Sequence, residues 1–244
     1  TNTLCGDRHA EIHQFNSSVF TKNKIKKPKK GDTLIICGDF GFIWNNSEKE
    51  KKALKKLSMK KYNILFVAGT HENFNVLDKI NPEPFMGGMA KHIKNNIKML
   101  CNGYIFTIEE KKIFTFGGGE SDDKQFKKKA KTWYKQEMPS HEEISFGKQT
   151  LENAQKTVDY IISHDAPTKI RNFLNNENNK MNELHAFFDW IMENCKYSHW
   201  FFGKYHLDRR ISPSISVVFK NPLAVTQRIR KKDLKRKKRQ NKKQ

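Results

Sequence analysis

The sequence predicts a layered α/β protein built on a central, mostly parallel or mixed sheet. Short β-branched or aromatic runs alternate along the chain with Lys/Glu-rich windows of helical character, the pattern of strands interleaved with helices. Four of the apolar runs also end alike. LIICGDFG (34–41), ILFVAGTHEN (64–73), YIISHDAP (160–167) and WFFGKYHLD (200–208) each stop abruptly at Gly, His or Asp. In open α/β sheets, ligands gather at the carboxyl ends of the strands, so four neighbouring runs of this kind would bring their trailing polar groups to one sheet edge.

In chain order, a stub at 3–5 is read as the first strand. Strands follow at 33–37 (TLIIC), 62–67 (YNILFV), 104–108 (YIFTI), 112–116 (KIFTF), 158–163 (VDYIIS), 199–202 (HWFF) and 215–219 (ISVVF). Helices are expected near 10–20, 47–59, 73–79, 141–155, 168–174 and 180–194. The runs at 104–108 and 112–116, joined by Glu109-Glu110-Lys111, read as a hairpin, and NNENN (175–179) as an exposed turn. No internal repeat is visible.

The 244 residues suffice for a sizeable core in one α/β domain. Hydrophobic content of 36% is low for a globular chain, but lysine accounts for most of the deficit, and 18 Phe residues argue against a wholly disordered chain. The formal charge of +21 is uneven: Arg228 to Gln244 holds 11 Lys/Arg against the single acid Asp233, and six lysines lie between Lys22 and Lys30. We therefore divide the chain into a domain over 1–222 and a basic, disordered tail over 223–244. The tail suits either plain solvation or electrostatic contact with nucleic acid, without aromatics to stack on bases. Cys5, Cys37, Cys101 and Cys195 form no CxxC pair, which fits reduced thiols in a cytoplasmic protein. No apolar run approaches the ~18–20 residues needed to cross a bilayer, so no membrane partner is expected.

The trailing groups are Asp7 and His9 after the stub, then Asp39, His71, His164 and His206. Carboxylates with imidazoles suit Mn, Fe or Zn. A lone histidine of this kind is usually structural. Five strand ends carrying such groups in order are a different observation. Two metals a few ångströms apart that share a carboxylate can stabilise both oxygens of an in-line phosphoryl displacement.

The sequence here resembles the calcineurin-like metallophosphoesterase family, which shows in order D-x-H, G-D, G-N-H-[DE], a lone His after a strand, and G-H-x-H. The matching stretches are GDRH (6–9), GDFG (38–41), GTHEN (69–73), SHDAP (163–167) and GKYH (203–206), and together they cover roughly residues 4 to 220. FGGGESDDK (116–124) and WYKQEMPS (133–140) look, more loosely, like a bacterial branch of the family. The resemblance implies a four-layer α/β/β/α sandwich with mixed sheets. It also implies that Asp7, His9 and His206 bind a first metal, that Asp39 bridges two metals and that His164 binds the second. His71 would sit near the phosphate and assist the leaving oxygen instead of ligating.

Two positions depart from the family pattern. Thr70 stands where the family has an asparagine ligand of the second metal, and Lys204 where it has a histidine ligand of that same metal. An ammonium repels a divalent cation but pairs with a carboxylate such as Asp39 or with a phosphate oxygen. Lys204 is thus expected to stand in the place of the second cation, leaving one metal where the family has two. Ala10 replaces a glycine common after D-x-H. The FGGG run is read as a tight turn in preference to a phosphate loop, since it lacks the Lys-Ser/Thr of a P-loop. Asp122, Asp123 and the Lys-rich stretch to Lys131 are placed over the site as a lid.

The function expected on this reading is metal-dependent hydrolysis of phosphomonoesters or phosphodiesters, with His71 and Lys204 as catalytic groups and one or two divalent metals per chain. The phosphorylated substrate is the expected partner. Two rivals remain: an impaired family member that binds nucleic acid or protein, and a nuclease using the basic tail.

Overall fold

A computed structural model describes residues 2–175 and 181–224. The basic run from 228 to 244 and most of NNENN therefore lie outside the described residues. The chain runs β1 (Asn2–Cys5), a 3-10 turn (Ile12–Phe15), α1 (Ser17–Lys22), β2 (Thr33–Ile36), α2 (Glu48–Ser58), β3 (Asn63–Phe66) and α3 (Phe74–Leu77). It continues through β4 (Pro82–Phe85), β5 (Gly88–Lys94), β6 (Ile97–Leu100), β7 (Ile105–Ile108), β8 (Lys111–Phe116), α4 (Lys124–Lys129) and a 3-10 turn (Lys135–Glu137). The last part comprises α5 (His141–Asn153), β9 (Tyr160–Ser163), α6 (Thr168–Asn175), α7 (Glu183–Asn194), β10 (His199–Phe202), β11 (Arg209–Ser212), β12 (Ile215–Val217) and β13 (Leu223–Ala224).

The strands form two mixed sheets, ordered β13-β1-β2-β3-β6-β5-β4 and β11-β12-β10-β9-β8-β7. In the first, β1, β2, β3 and β6 run parallel, with antiparallel strands at both edges. In the second, β12, β10, β9 and β8 run parallel between antiparallel β11 and β7.

Strand alternation produces the layers. Ile35, Leu65, Ile113, Ile162 and Phe201 share the core between the two sheets. Their neighbours Leu34, Ile36, Ile64 and Phe66 face the other way, onto Phe20 of α1 and Leu57 of α2. On the far side, Phe114, Ile161, Trp200 and Phe202 meet Leu151 of α5 and Phe187, Phe188 and Ile191 of α7. The result is the α/β/β/α sandwich. Because side chains alternate with a period of two, a one-residue slip in β2 or β3 would exchange the two apolar sets wholesale, so both cores fix the register. That register sets which residue of each strand end meets the site.

The helix expected over 10–20 is broken. Asn16 is extended, with φ −75° and ψ 151°, between the 3-10 turn and α1. Strands β4, β5 and β6 were not predicted. Pro82 and Pro84 read against a strand, yet β4 is an exposed edge where proline is tolerated. Met86 and Gly87, both at positive φ (49° and 92°), join it to β5 by a two-residue turn that matches strand twist. Lysines in β5 mask an alternation that buries Gly88 and Ala90. The edge strands β11 and β13 and the Lys-rich α4 were likewise missed. Leu223–Ala224, at the head of the expected tail, pair antiparallel with β1. The expected hairpin is present as β7–β8, turned at Glu109 and Glu110 (φ 48° and 62°). Among the described residues, no helix is long and apolar enough to cross a membrane.

Candidate metal centre

Five strand ends converge, three from the first sheet and two from the second. β1 delivers Asp7 and His9, β2 delivers Asp39, β3 delivers Thr70 and His71, β9 delivers His164, and β10 delivers Lys204 and His206. The turns that carry them are unusual. His9, Asp39, Lys204 and His206 all lie at positive φ (41°, 47°, 67° and 51°), a region that costs non-glycine residues energy and persists where surrounding structure enforces it. Two glycines let the strand ends approach. A Cβ on Gly38, itself at φ 96°, would lie 2.1 Å from His164 Nδ1, and one on Gly69 would lie 2.1 Å from Asp39 Oδ1.

Asp7, His9 and His206 bring their ligand atoms within 4.8 Å of one another. His206 Nε2 lies 3.3 Å from Asp7 Oδ2 and 2.9 Å from His9 Nε2, while His9 Nε2 lies 3.9 Å from Asp39 Oδ2. Two ligands each about 2.1 Å from one ion are about 3.0–3.4 Å apart at right-angle to tetrahedral geometry, so these separations suit a shared cation. Asp7 Oδ2 is buried and makes no hydrogen bond. Its other oxygen accepts the Lys204 backbone N–H at 3.1 Å. A buried carboxylate oxygen without a donor is costly unless a cation meets it. The donor set therefore fits a divalent metal.

His164 gives a second sign. Its Nδ1 lies 2.9 Å from the Cys37 carbonyl, which only an N–H at that position can satisfy. The other ring nitrogen, Nε2, is buried, without a hydrogen-bond partner, and 3.6 Å from Asp39 Oδ1. A proton or a metal cation between that nitrogen and the carboxylate satisfies both. This half of the centre has fewer ligands around it. Thr70 is buried; its carbonyl accepts from Lys127 Nζ at 2.6 Å, and its hydroxyl lies 3.2 Å from His71 Nδ1.

Lys204 departs from expectation. Its ammonium pairs with Asp122 (3.4 Å) and Asp165 (3.8 Å), and the expected pair with Asp39 is absent among the described residues. Asp165 is fully buried. It also accepts from the Tyr205 hydroxyl at 2.6 Å and from the Ala166 N–H at 2.8 Å, and it faces His185 Nε2 at 3.3 Å. Burial would raise its carboxyl, but Lys204, His185 and Tyr205 outweigh that and hold it below the ordinary carboxylate range. Asp165 lies inside the SHDAP stretch, next to His164. His185 stands inside a helix with no sequence signal at all.

The titratable groups are set against one another. Burial raises the Asp39 carboxyl, yet His164 and the hydrogen bonds from His71 drive it well down. His71 gives Asp39 its backbone N–H (2.7 Å) and faces it with Nδ1 (2.9 Å), which raises the imidazole above its usual value. His206 is raised by Asp7, whereas burial lowers His9. Glu72 is pushed well up by burial and by Asp39, and accepts the Phe40 N–H at 2.7 Å.

The 117–140 segment lies against the site. Lys127 of α4, buried, bonds the Thr70 carbonyl, Ser121 and Glu137, and so ties the segment to the end of β3. Asp122 reaches Lys204, and Asp123 Oδ2 comes within 4.0 Å of His71 Nε2. The FGGG run holds no free amides for phosphate: Gly117, Gly118 and Gly119 donate to Asn102 Oδ1, Ala68 O and Glu137 O.

The profile of the calcineurin-like phosphoesterases matches residues 3–207, and the chain belongs to that family. Its function is thus of the metal-dependent phosphoesterase type. Among solved structures, the chain is similar to the phosphopantetheinyl hydrolase of Mycobacterium tuberculosis, at 12% identity and a TM-score of 0.40, over 89% of this chain and 88% of that one. At that score the likeness carries no argument about substrate. No curated protein matches the chain in sequence.

Proposed function

We propose that the protein hydrolyses phosphate esters at the strand-end cluster, using one tightly held divalent cation on Asp7, His9, His206 and Asp39. The observation that carries this reading is the convergence of three ligand atoms within 4.8 Å around the buried, unbonded Asp7 Oδ2. A divalent cation there supplies Lewis acidity and makes water a better nucleophile at neutral pH.

The chain's own groups do the rest. His71, its Nδ1 anchored on Asp39, keeps a proton on Nε2 and gives it to the departing ester oxygen as the P–O bond breaks. Water supplies the new oxygen on phosphorus, and its proton restores His71, so products are the phosphate and the free alcohol. Lys204 would place an ammonium beside the second half-site, its charge shared with Asp165 and Asp122. Thr70 and Lys204, in place of two usual ligands, favour an impaired binding module as the second reading. Hydrolysis of an aryl phosphate diester and monoester in excess manganese tests the first. Turnover abolished by Asp39→Asn supports it; no turnover with either ester, by protein shown to hold metal, supports the second.

A further inference from the structure

A cavity of about 550 Å³ opens beside His9 and His71 and runs along α2. Its size falls in the range of small-molecule sites. Ile12, Phe42, Trp44 and Ala53 give it an apolar lining. Along one wall stand Lys49, Lys52 and Lys56, spaced three and four residues apart and so on one face of α2. Among the described residues none of these lysines pairs with an acid; the ion pair on this helix joins Lys51 to Glu48. Glu50, the acid on the same wall, is already engaged. It accepts the backbone N–H groups of Trp44, Asn45 and Asn46 at 3.0, 2.9 and 3.2 Å. That clamp pins the loop that presents the Trp44 ring. The cavity thus combines an indole on a pinned loop, an apolar lining and three unspent positive charges, and it is continuous with the candidate catalytic histidine.

Resting on the phosphoesterase reading above, we propose that this cavity takes the leaving side of a nucleotide that carries more than one phosphate. The base lies on Trp44, and a phosphate remote from the reacting one lies against Lys49, Lys52 and Lys56. An apolar ester without further charge would leave three lysines unused, and an inorganic polyphosphate would leave the indole unused. A planar aromatic body joined to several phosphates engages both walls.

The test is equilibrium binding by the full chain with metal removed by EDTA, so that no turnover intervenes. ADP, adenosine and inorganic pyrophosphate are titrated at physiological salt and followed by calorimetry. ADP should bind at least about tenfold tighter than either adenosine or pyrophosphate. Trp44→Ala should bring ADP to the level of pyrophosphate, with Trp44→Phe recovering most of the loss. Lys52→Ala with Lys56→Ala should bring ADP towards adenosine and flatten its salt dependence; circular dichroism confirms that each variant folds. ADP no tighter than pyrophosphate, or ADP binding indifferent to Trp44→Ala, overturns the proposal. So does a thymidine oligonucleotide that binds tighter than ADP and responds to the same variants, which would make the cavity part of a nucleic-acid groove. Aryl ester hydrolysis by the manganese-loaded wild type reports separately on the reading beneath. Hydrolysis without ADP preference removes the cavity assignment alone, and ADP preference without hydrolysis removes the phosphoesterase reading and with it the leaving-side role, keeping the cavity as a nucleotide-binding site.

Discussion

Lys204 Nζ lies 3.8 Å from Asp165 Oδ2, and the two side chains are among the most enclosed charges of the site, 6% and 0% exposed. A lysine in a metal ligand's position is therefore stabilised by its own carboxylate instead of borrowing Asp39. Asp39 stays available to a cation, while the ammonium is met by Asp165 and Asp122. Asp165→Asn should leave that ammonium with the exposed Asp122 alone and His185 without its carboxylate partner. The expected loss is about 3–5 kcal/mol of stability, the usual cost of breaking a buried pair from one side. Urea unfolding measures it; an unchanged midpoint would mean that Lys204 is held by Asp122 and solvent.

The same geometry bears on metal count. Elemental analysis of the wild type should give about one tightly held metal per chain, because one ligand set is fuller than the other. Thr70→Asn combined with Lys204→His should raise the count towards two, since His164 Nε2 and Asp39 Oδ1 already face each other at 3.6 Å. Full double occupancy in the wild type would contradict the reading of Lys204.

Lys127 anchors the 117–140 segment. Lys127→Ala leaves Glu137 buried without its cation and cuts the tie to the Thr70 carbonyl. Cleavage within 117–140 during limited proteolysis should quicken markedly, while the two sheet cores remain protected. Equal cleavage rates in wild type and variant would show that the contact contributes little.

Acid stability has a readable component at His199. Burial and the nearby Arg210 lower its ring from 6.5 to about 4, and Nε2 lies 2.9 Å from the Ser216 hydroxyl. The fold favours the neutral ring, whereas the unfolded chain takes up a proton near 6.5. The unfolded state therefore binds more protons between these values. This group's contribution is complete above about pH 6.5 and declines as pH falls towards 4. An NMR titration should place the ring well below 6.5, and His199→Gln should flatten that part of the stability profile. A ring titrating at 6.5 or above would contradict this.

Much of the fold was legible because its central strands are strongly apolar. TLII, NILF, YIIS and HWFF are buried on both faces, and their ends carry the chemistry. The edge strands were not legible, for β4 is proline-bearing and exposed and β5 is lysine-bearing, so neither shows a clean apolar alternation. In the site, Asp7, His9, Asp39, His71, His164 and His206 could be singled out because each trails an apolar run. The partner of Lys204 could not. Asp165 is hidden beside a more conspicuous histidine, and only the packing of α7 brings His185 to it. Lys127 is one lysine in a run of many, and nothing in the chain separates the buried one from those in solvent.

The central claim is that Asp7, His9 and His206, with Asp39 beside them, hold a catalytic cation. Anomalous diffraction from manganese-soaked crystals tests it most directly. The account predicts a strong peak about 2.0–2.3 Å from Asp7 Oδ2, His9 Nε2 and His206 Nε2, lost in Asp7→Ala and His206→Ala. A crystal with no peak there, its manganese bound only at surface carboxylates, would contradict it.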